Sequence, residues 1–125
     1  MKIFIAVIIL VLVPGYGFSE TAHHERTYQE FWCRRAGGLT EVVLTDHTRV
    51  DCLTGEYAVE VDFAVKWAEA VGQALFYGAM TGRKAGVLLI MEKDGDGRYL
   101  KRLNLTIEEF ALPIRIWTTR PQDIE

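Results

Sequence analysis

The sequence predicts an α/β fold, a mixed central sheet flanked by helices. Two changes of hydrophobic period carry that expectation, from helical to strand-like at Gly37-Gly38 and back to helical from Ala64. A third observation is Gly86 to Met91 (GVLLIM), an uninterrupted apolar run of the kind found in a strand buried on both faces, which belongs in mid-sheet.

The elements follow in order. Between Thr21 and Ala36, Tyr28, Phe31, Trp32 and Arg35 recur at helical spacing, and Gly37-Gly38 end that helix as a C-terminal cap does. Thr40 to Thr45 and Arg49 to Leu53 are β-rich runs separated by the polar turn Asp46-His47-Thr48, and Tyr57 to Asp62 adds a third strand. Helical period holds from Ala64 to Met80. Trp67, Val71, Ala74, Leu75 and Gly78 form its core-facing stripe. After the Gly86 to Met91 strand, Lys93 to Gly97 reads as a hairpin turn and Arg98 to Arg102 as a short polar strand. Thr106 with Glu109 three residues on reads as a capping box opening another helix. Ile114 to Trp117 closes the pattern as a last strand after Pro113.

The first 19 residues read as a secretory signal: Lys2, an apolar run from Ile3 to Val13, a Pro14-Gly15 break, and small Gly17 and Ser19 before Glu20. The expectation is export to the periplasm or medium, with residues 20–125 as a single domain and no stable membrane association after cleavage. An uncleaved membrane anchor is the alternative, although the run is shorter than the roughly 20 residues that span a bilayer. Removing Lys2 leaves 13 basic residues of the original 14 against 17 acidic ones. Such mild acidity argues against wholesale wrapping of nucleic acid but permits local basic patches. Cys33 and Cys52 either pair, as an oxidising compartment allows, or remain two small buried thiols.

The chemistry-bearing residues surround the third strand. Glu60 and Asp62, two apart, project from one face while Val59 and Val61 project from the other. Like charges so placed raise one another's pKa unless a cation lies between them, and Asp51 on the preceding strand is a third acid able to meet them. Carboxylates at a strand end suit a hard cation such as Mg²⁺, which takes one or two carboxylates plus water and substrate phosphate. On the following helix, Lys66, Gln73 and Tyr77 fall within about 20° of one line, with Glu69 about 60° aside. A cation, an amide and a phenol thus stand beside the acids, a set suited to metal-assisted phosphodiester hydrolysis.

This arrangement resembles the PD-(D/E)XK nuclease superfamily and its restriction-endonuclease-like fold, from about Thr21 to Trp117. Members share a helix-strand-strand-strand-helix-strand core, an acid on the second strand and acid-x-lysine on the third. Exonuclease-type branches add Gln-x-x-x-Tyr on the next helix. Asp51 matches the first acid, Glu60 the second, and Gln73 with Tyr77 in GQALFY the helix motif. Asp62 stands where the lysine is expected. Some members supply that lysine from the following helix, where Lys66 in EVDFAVKW is placed. The resemblance implies Mg²⁺ or Mn²⁺ at Asp51 and Glu60, Asp62 assisting, Lys66 serving the attacking water, and Gln73 and Tyr77 holding the substrate. The implied partner is DNA or RNA. Small members often dimerise, so a homodimer stays open.

Other features read more plainly. Glu92 to Arg98 resembles a calcium loop, but Leu103 occupies the position of the closing bidentate acid. His23, His24 and His47 lack zinc-type spacing and read as solvated. Asn104-Leu105-Thr106 matches a glycosylation sequon. Arg83, Lys84, Arg98, Lys101, Arg102 and Arg115 either contact phosphates or solubilise the surface. The competing functional reading is an exported, non-catalytic binding module that keeps the nuclease fold, motivated by the missing lysine at position 62. Nothing in the sequence separates a toxin from a scavenging enzyme.

Overall fold

The computed structural model describes residues 21–125, so the signal segment expected at residues 1–19 lies outside the described residues. The chain runs α1 (Glu25–Arg35), β1 (Leu39–Val43), β2 (Arg49–Leu53), β3 (Tyr57–Phe63), a 3₁₀ turn (Ala64–Lys66), α2 (Trp67–Thr81), β4 (Lys84–Ile90), α3 (Gly97–Phe110) and β5 (Ile114–Thr119). The strands lie in the order β1-β2-β3-β4-β5. β1, β2 and β3 are antiparallel neighbours, whereas β3, β4 and β5 run parallel. The α/β class and the mixed sheet flanked by helices are therefore as the sequence predicts. Among the described residues no helix is long and apolar enough to cross a membrane.

Period-two alternation on β4 builds two cores. Val87 and Leu89 face Ala70 and Ala74 of α2 and Leu103 of α3. Leu88 and Ile90 face the other way, onto Val59, Val61 and the buried Tyr28 of α1. The two layers account for the unbroken apolar run: every β4 residue from Ala85 to Ile90 is buried. Gly86 is required there, because a Cβ would meet a Trp117 ring carbon at 2.6 Å.

Cys33 of α1 and Cys52 of β2 are disulfide-bonded, and both are fully buried. The bridge staples α1 to the sheet. Gly38 packs directly over it, since a Cβ at that position would stand 2.8 Å from Cys52 Sγ and 2.9 Å from Cys33 Sγ.

Several expectations are corrected. The strand expected at Arg98 to Arg102 is the first part of α3, and Lys93 to Gly97 is not a hairpin turn but a 3₁₀ entry (Asp94–Asp96) into that helix. Tyr99, Leu100, Leu103 and Ile107 pack on the α2-side core at helical spacing, a longer-range signal than a five-residue window shows. Thr106 is not a cap. It lies inside α3 and donates its hydroxyl to the Arg102 carbonyl four residues back, at 2.8 Å. In α1 the buried residues are Tyr28, Gln29 and Cys33, while Phe31 and Arg35 are exposed. His23 is half-buried rather than solvated, its ring set edge-on to Tyr28.

Candidate active site

β2 and β3 pair only at Cys52↔Val59 and Leu53↔Ala58, and beyond that the ladder stops. Asp51 fills the gap. Its Oδ2 accepts the Val61 backbone N–H at 2.8 Å, in place of a strand carbonyl, and its own carbonyl accepts Gln29 Nε2 at 2.9 Å. The backbone groups freed by the opening are thus satisfied by side chains, as buried polar groups must be. Into this opening β3 directs Glu60 and Asp62, which are 5% and 6% exposed.

Two helices complete the cluster. α1 brings Glu25 in its first turn, where the helix dipole favours an anion. α2 brings Gln73. In the orientation that matches donor to acceptor, its amide nitrogen lies 2.5 Å from Glu60 Oε1 and 3.2 Å from Oε2. Lys66, at the end of the 3₁₀ turn, acts electrostatically on both Asp62 and Glu25. Tyr77 is mostly core, packed with Val50 and Ala58, yet burial and the charges of Glu60 and Asp51 raise its pKa, so its phenol senses the acids.

Burial is the chief cause of the acids' altered proton affinities. It raises Glu60 well above the carboxylate range, reinforced by Asp51 and Asp62, and Asp51 and Glu60 share a hydrogen bond. Burial raises Asp51 too, opposed by the Val61 N–H. Asp62 is pushed up to about 7 by burial and then by Glu25, with Lys66 opposing. Glu25 is raised by burial and by Asp51. Glu60 and Asp62 thus hold protons near neutral pH unless a cation replaces them.

Comparison with protein-family models, with curated proteins and with solved structures finds no match to this chain. Its own geometry must carry the functional reading. Asp51, Glu60, Asp62, Lys66 and Gln73, singled out from the sequence, meet in one place, with Tyr77 in the wall behind them. Among the described residues no three His, Cys, Asp or Glu side chains come close enough to enclose an ion by themselves. A carboxylate pair such as Asp51 and Glu60 nonetheless matches what Mg²⁺ takes from a protein, its other positions going to water and phosphate. Sequence reasoning missed Glu25 and Gln29. They sit one turn apart on α1, and the available signal was an acid and an amide four residues apart on the face adjoining buried Cys33. Glu41 was missed as well. In a left-handed conformation (φ 54°), it accepts from Gln29 Nε2 at 3.3 Å and from Arg26 at 3.2 Å.

Proposed function

We propose that this protein is an exported, metal-dependent nuclease with a restriction-endonuclease-like fold that hydrolyses phosphodiester bonds of DNA or RNA. One observation supports the reading: the buried acids of β3 and the half-buried acids of α1 and β2 converge where β2 leaves β3, with Lys66 beside them. A scaffold with no use for them would not bury mutually repelling carboxylates at the carboxyl end of a parallel strand.

The donor set of one buried and one half-buried carboxylate fits Mg²⁺ or Mn²⁺, and Glu60 and Asp51 are the residues that would hold it. Bound there, the ion would polarise a phosphate and acidify a water. The chain's own residues do the rest. Gln73 fixes the Glu60 carboxyl, and the Val61 N–H fixes that of Asp51. Asp62 accepts a proton from a nearby water, its affinity near neutrality matching that task. The exposed Lys66 orients that water and offsets charge developing on the phosphate. The Cys33–Cys52 bridge supports export, because such bonds persist in oxidising compartments.

The test is the purified full chain assayed with Mg²⁺ or Mn²⁺ on single- and double-stranded DNA and RNA. Cleavage that Glu60→Ala abolishes is the expected outcome, and cleavage unchanged in that variant overturns the site. Asp62 in the lysine position favours a second reading, a non-catalytic module. Calorimetry showing no Mg²⁺ or Mn²⁺ binding at millimolar concentration would assign the chain to it.

A further inference from the structure

Beside the acids, at the carboxyl ends of β3 and β4, lies a cleft of about 290 Å³ that no step above uses. Its position follows the rule for open parallel sheets, which take ligands outside the carboxyl ends of their strands. Phe63 and Tyr99 give it aromatic walls, and Lys66, Lys93 and Arg98 give it charge. Two acids also line it, but both are occupied. Glu92 accepts the Tyr28 hydroxyl at 2.7 Å and the backbone N–H groups of Ala22 and His23, and Asp96 accepts the Lys93 N–H at 3.0 Å.

The cations are differently placed. Ion pairs among the described residues join Arg26 and Arg49 to Glu41, and Lys84 to Glu56, and His23 Nε2 lies 3.8 Å from a Glu125 carboxylate oxygen. Lys66, Lys93 and Arg98 enter none of them. Arg98 instead lies over the Tyr99 ring, 4.7 Å from its centroid, and donates to the Tyr99 hydroxyl at 2.8 Å. Its guanidinium thereby offers a fixed plane as well as a charge, and such planes stack on bases. The first turn of α3 opens on the same cleft, adding a dipole that favours anions.

Three cations outside any ion pair against two hydrogen-bonded carboxylates, a planar apolar wall, and a volume at the small end of ligand pockets describe a site for one flat, anionic body. We infer that this cleft receives the nucleotide next to the scissile phosphate, with its base against Phe63 and the Arg98–Tyr99 stack and its phosphate on Lys93 and Arg98. The substrate is therefore an unpaired strand or frayed end, because a base held in a duplex cannot enter the cleft without leaving its stack. This rests on the nuclease reading for the position of the scissile phosphate.

The experiment separates the two. Labelled oligothymidine and a blunt duplex of equal length are titrated with the full chain in EDTA, where no cleavage occurs, and read by fluorescence anisotropy at several salt concentrations. The single strand is expected to bind at least tenfold more tightly than the duplex. The Lys93→Ala/Arg98→Ala double variant should lose tenfold or more of that affinity. Its salt slope should fall by about 0.7 for each phosphate that the two cations no longer neutralise. Tyr99→Phe, which keeps the ring but loses the hydroxyl that accepts from Arg98, should bind more weakly, and Tyr99→Leu, which removes the ring as well, more weakly still. Equal or tighter duplex binding, or wild-type affinity and slope in the double variant, overturns the inference even if the protein cuts duplex. Single-strand binding through Lys93 and Arg98 upholds it even if no cleavage is found, and in that case the nuclease reading is what fails.

Discussion

Reducing the Cys33–Cys52 bridge should weaken both the fold and the site. The sequence separation is 19 residues, for which the loop-entropy relation gives about 3 kcal/mol. Both sulfurs are fully buried beneath Gly38, so no solvent contact compensates for the loss. At about 4–8 °C per kcal/mol for a fold of this size, Tm should drop by roughly 10–25 °C. The site should respond because the bridge joins the helix carrying Glu25 to the strand carrying Asp51, in series with the Gln29 hydrogen bond to the Asp51 carbonyl. Far-UV circular dichroism melts of the full chain, with and without reductant, and of the Cys33→Ala/Cys52→Ala double variant measure the first effect. Mn²⁺ titration below the melting range measures the second. A Tm drop under about 4 °C would refute the entropic estimate. Unchanged Mn²⁺ affinity in a chain that has lost its bridge would refute the claim that it aligns the acids.

Other substitutions and conditions test separate parts of the structure. Asp62 at about 7 and the raised Glu60 and Asp51 mean that the folded state keeps protons the unfolded chain releases near pH 4. The Asp62 contribution to stability is then complete below that pH and lost as pH rises through about 7, and that of Glu60 is lost as pH rises toward about 10. Metal-free protein should melt higher at pH 5 than at pH 8, with Mg²⁺ raising the pH 8 value more; a flat metal-free profile contradicts this. Gly86→Ala should cost about 1–3 kcal/mol in urea denaturation, because its methyl meets the Trp117 ring at 2.6 Å. Ala111→Gly should stabilise by about 0.5–1 kcal/mol, since Ala111 ends α3 at φ 49°, where an L side chain is strained. An unchanged urea midpoint in either variant would contradict its assignment.

The residues that share one element were readable from spacing alone. Glu60 and Asp62 had to project together because a strand repeats every two residues, and Gln73 and Tyr77 had to share one side of α2 because a helix repeats every 3.6, whereas Lys66 lies in the 3₁₀ turn before that helix. Meetings between elements were harder to foresee. Glu25 approaches Asp51 because α1 packs across β2 and β3, tied to β2 by the disulfide, and no local pattern encodes that packing. α3 was misread for a related reason. Arg98 to Arg102 is strongly polar, and its core contacts, Tyr99, Leu100, Leu103 and Ile107, emerge only over a longer window that Lys93 to Gly97 and Thr106 divide in two. Thr106 satisfied a capping pattern but had a better partner in the Arg102 carbonyl.

The carboxylate cluster and the disulfide are best understood together. Opening the β2–β3 ladder gives up backbone hydrogen bonds, and filling the gap with Asp51 and Glu60 adds repulsion that rises with pH. Both effects weaken the sheet at the point where β2 would otherwise be locked. The bridge lies one residue from Asp51, on the opposite face, where Cys52 still pairs with Val59 at the last closed rung. A covalent tie there restrains the strand without occupying the opening. Apolar packing alone would have to close the gap to achieve the same restraint, which would displace Asp51 from its place between the strands. The position of the bridge therefore keeps the strand in place where its ladder has ended, and the same logic makes the acid cluster more sensitive to reduction than the two apolar cores on either side of β4.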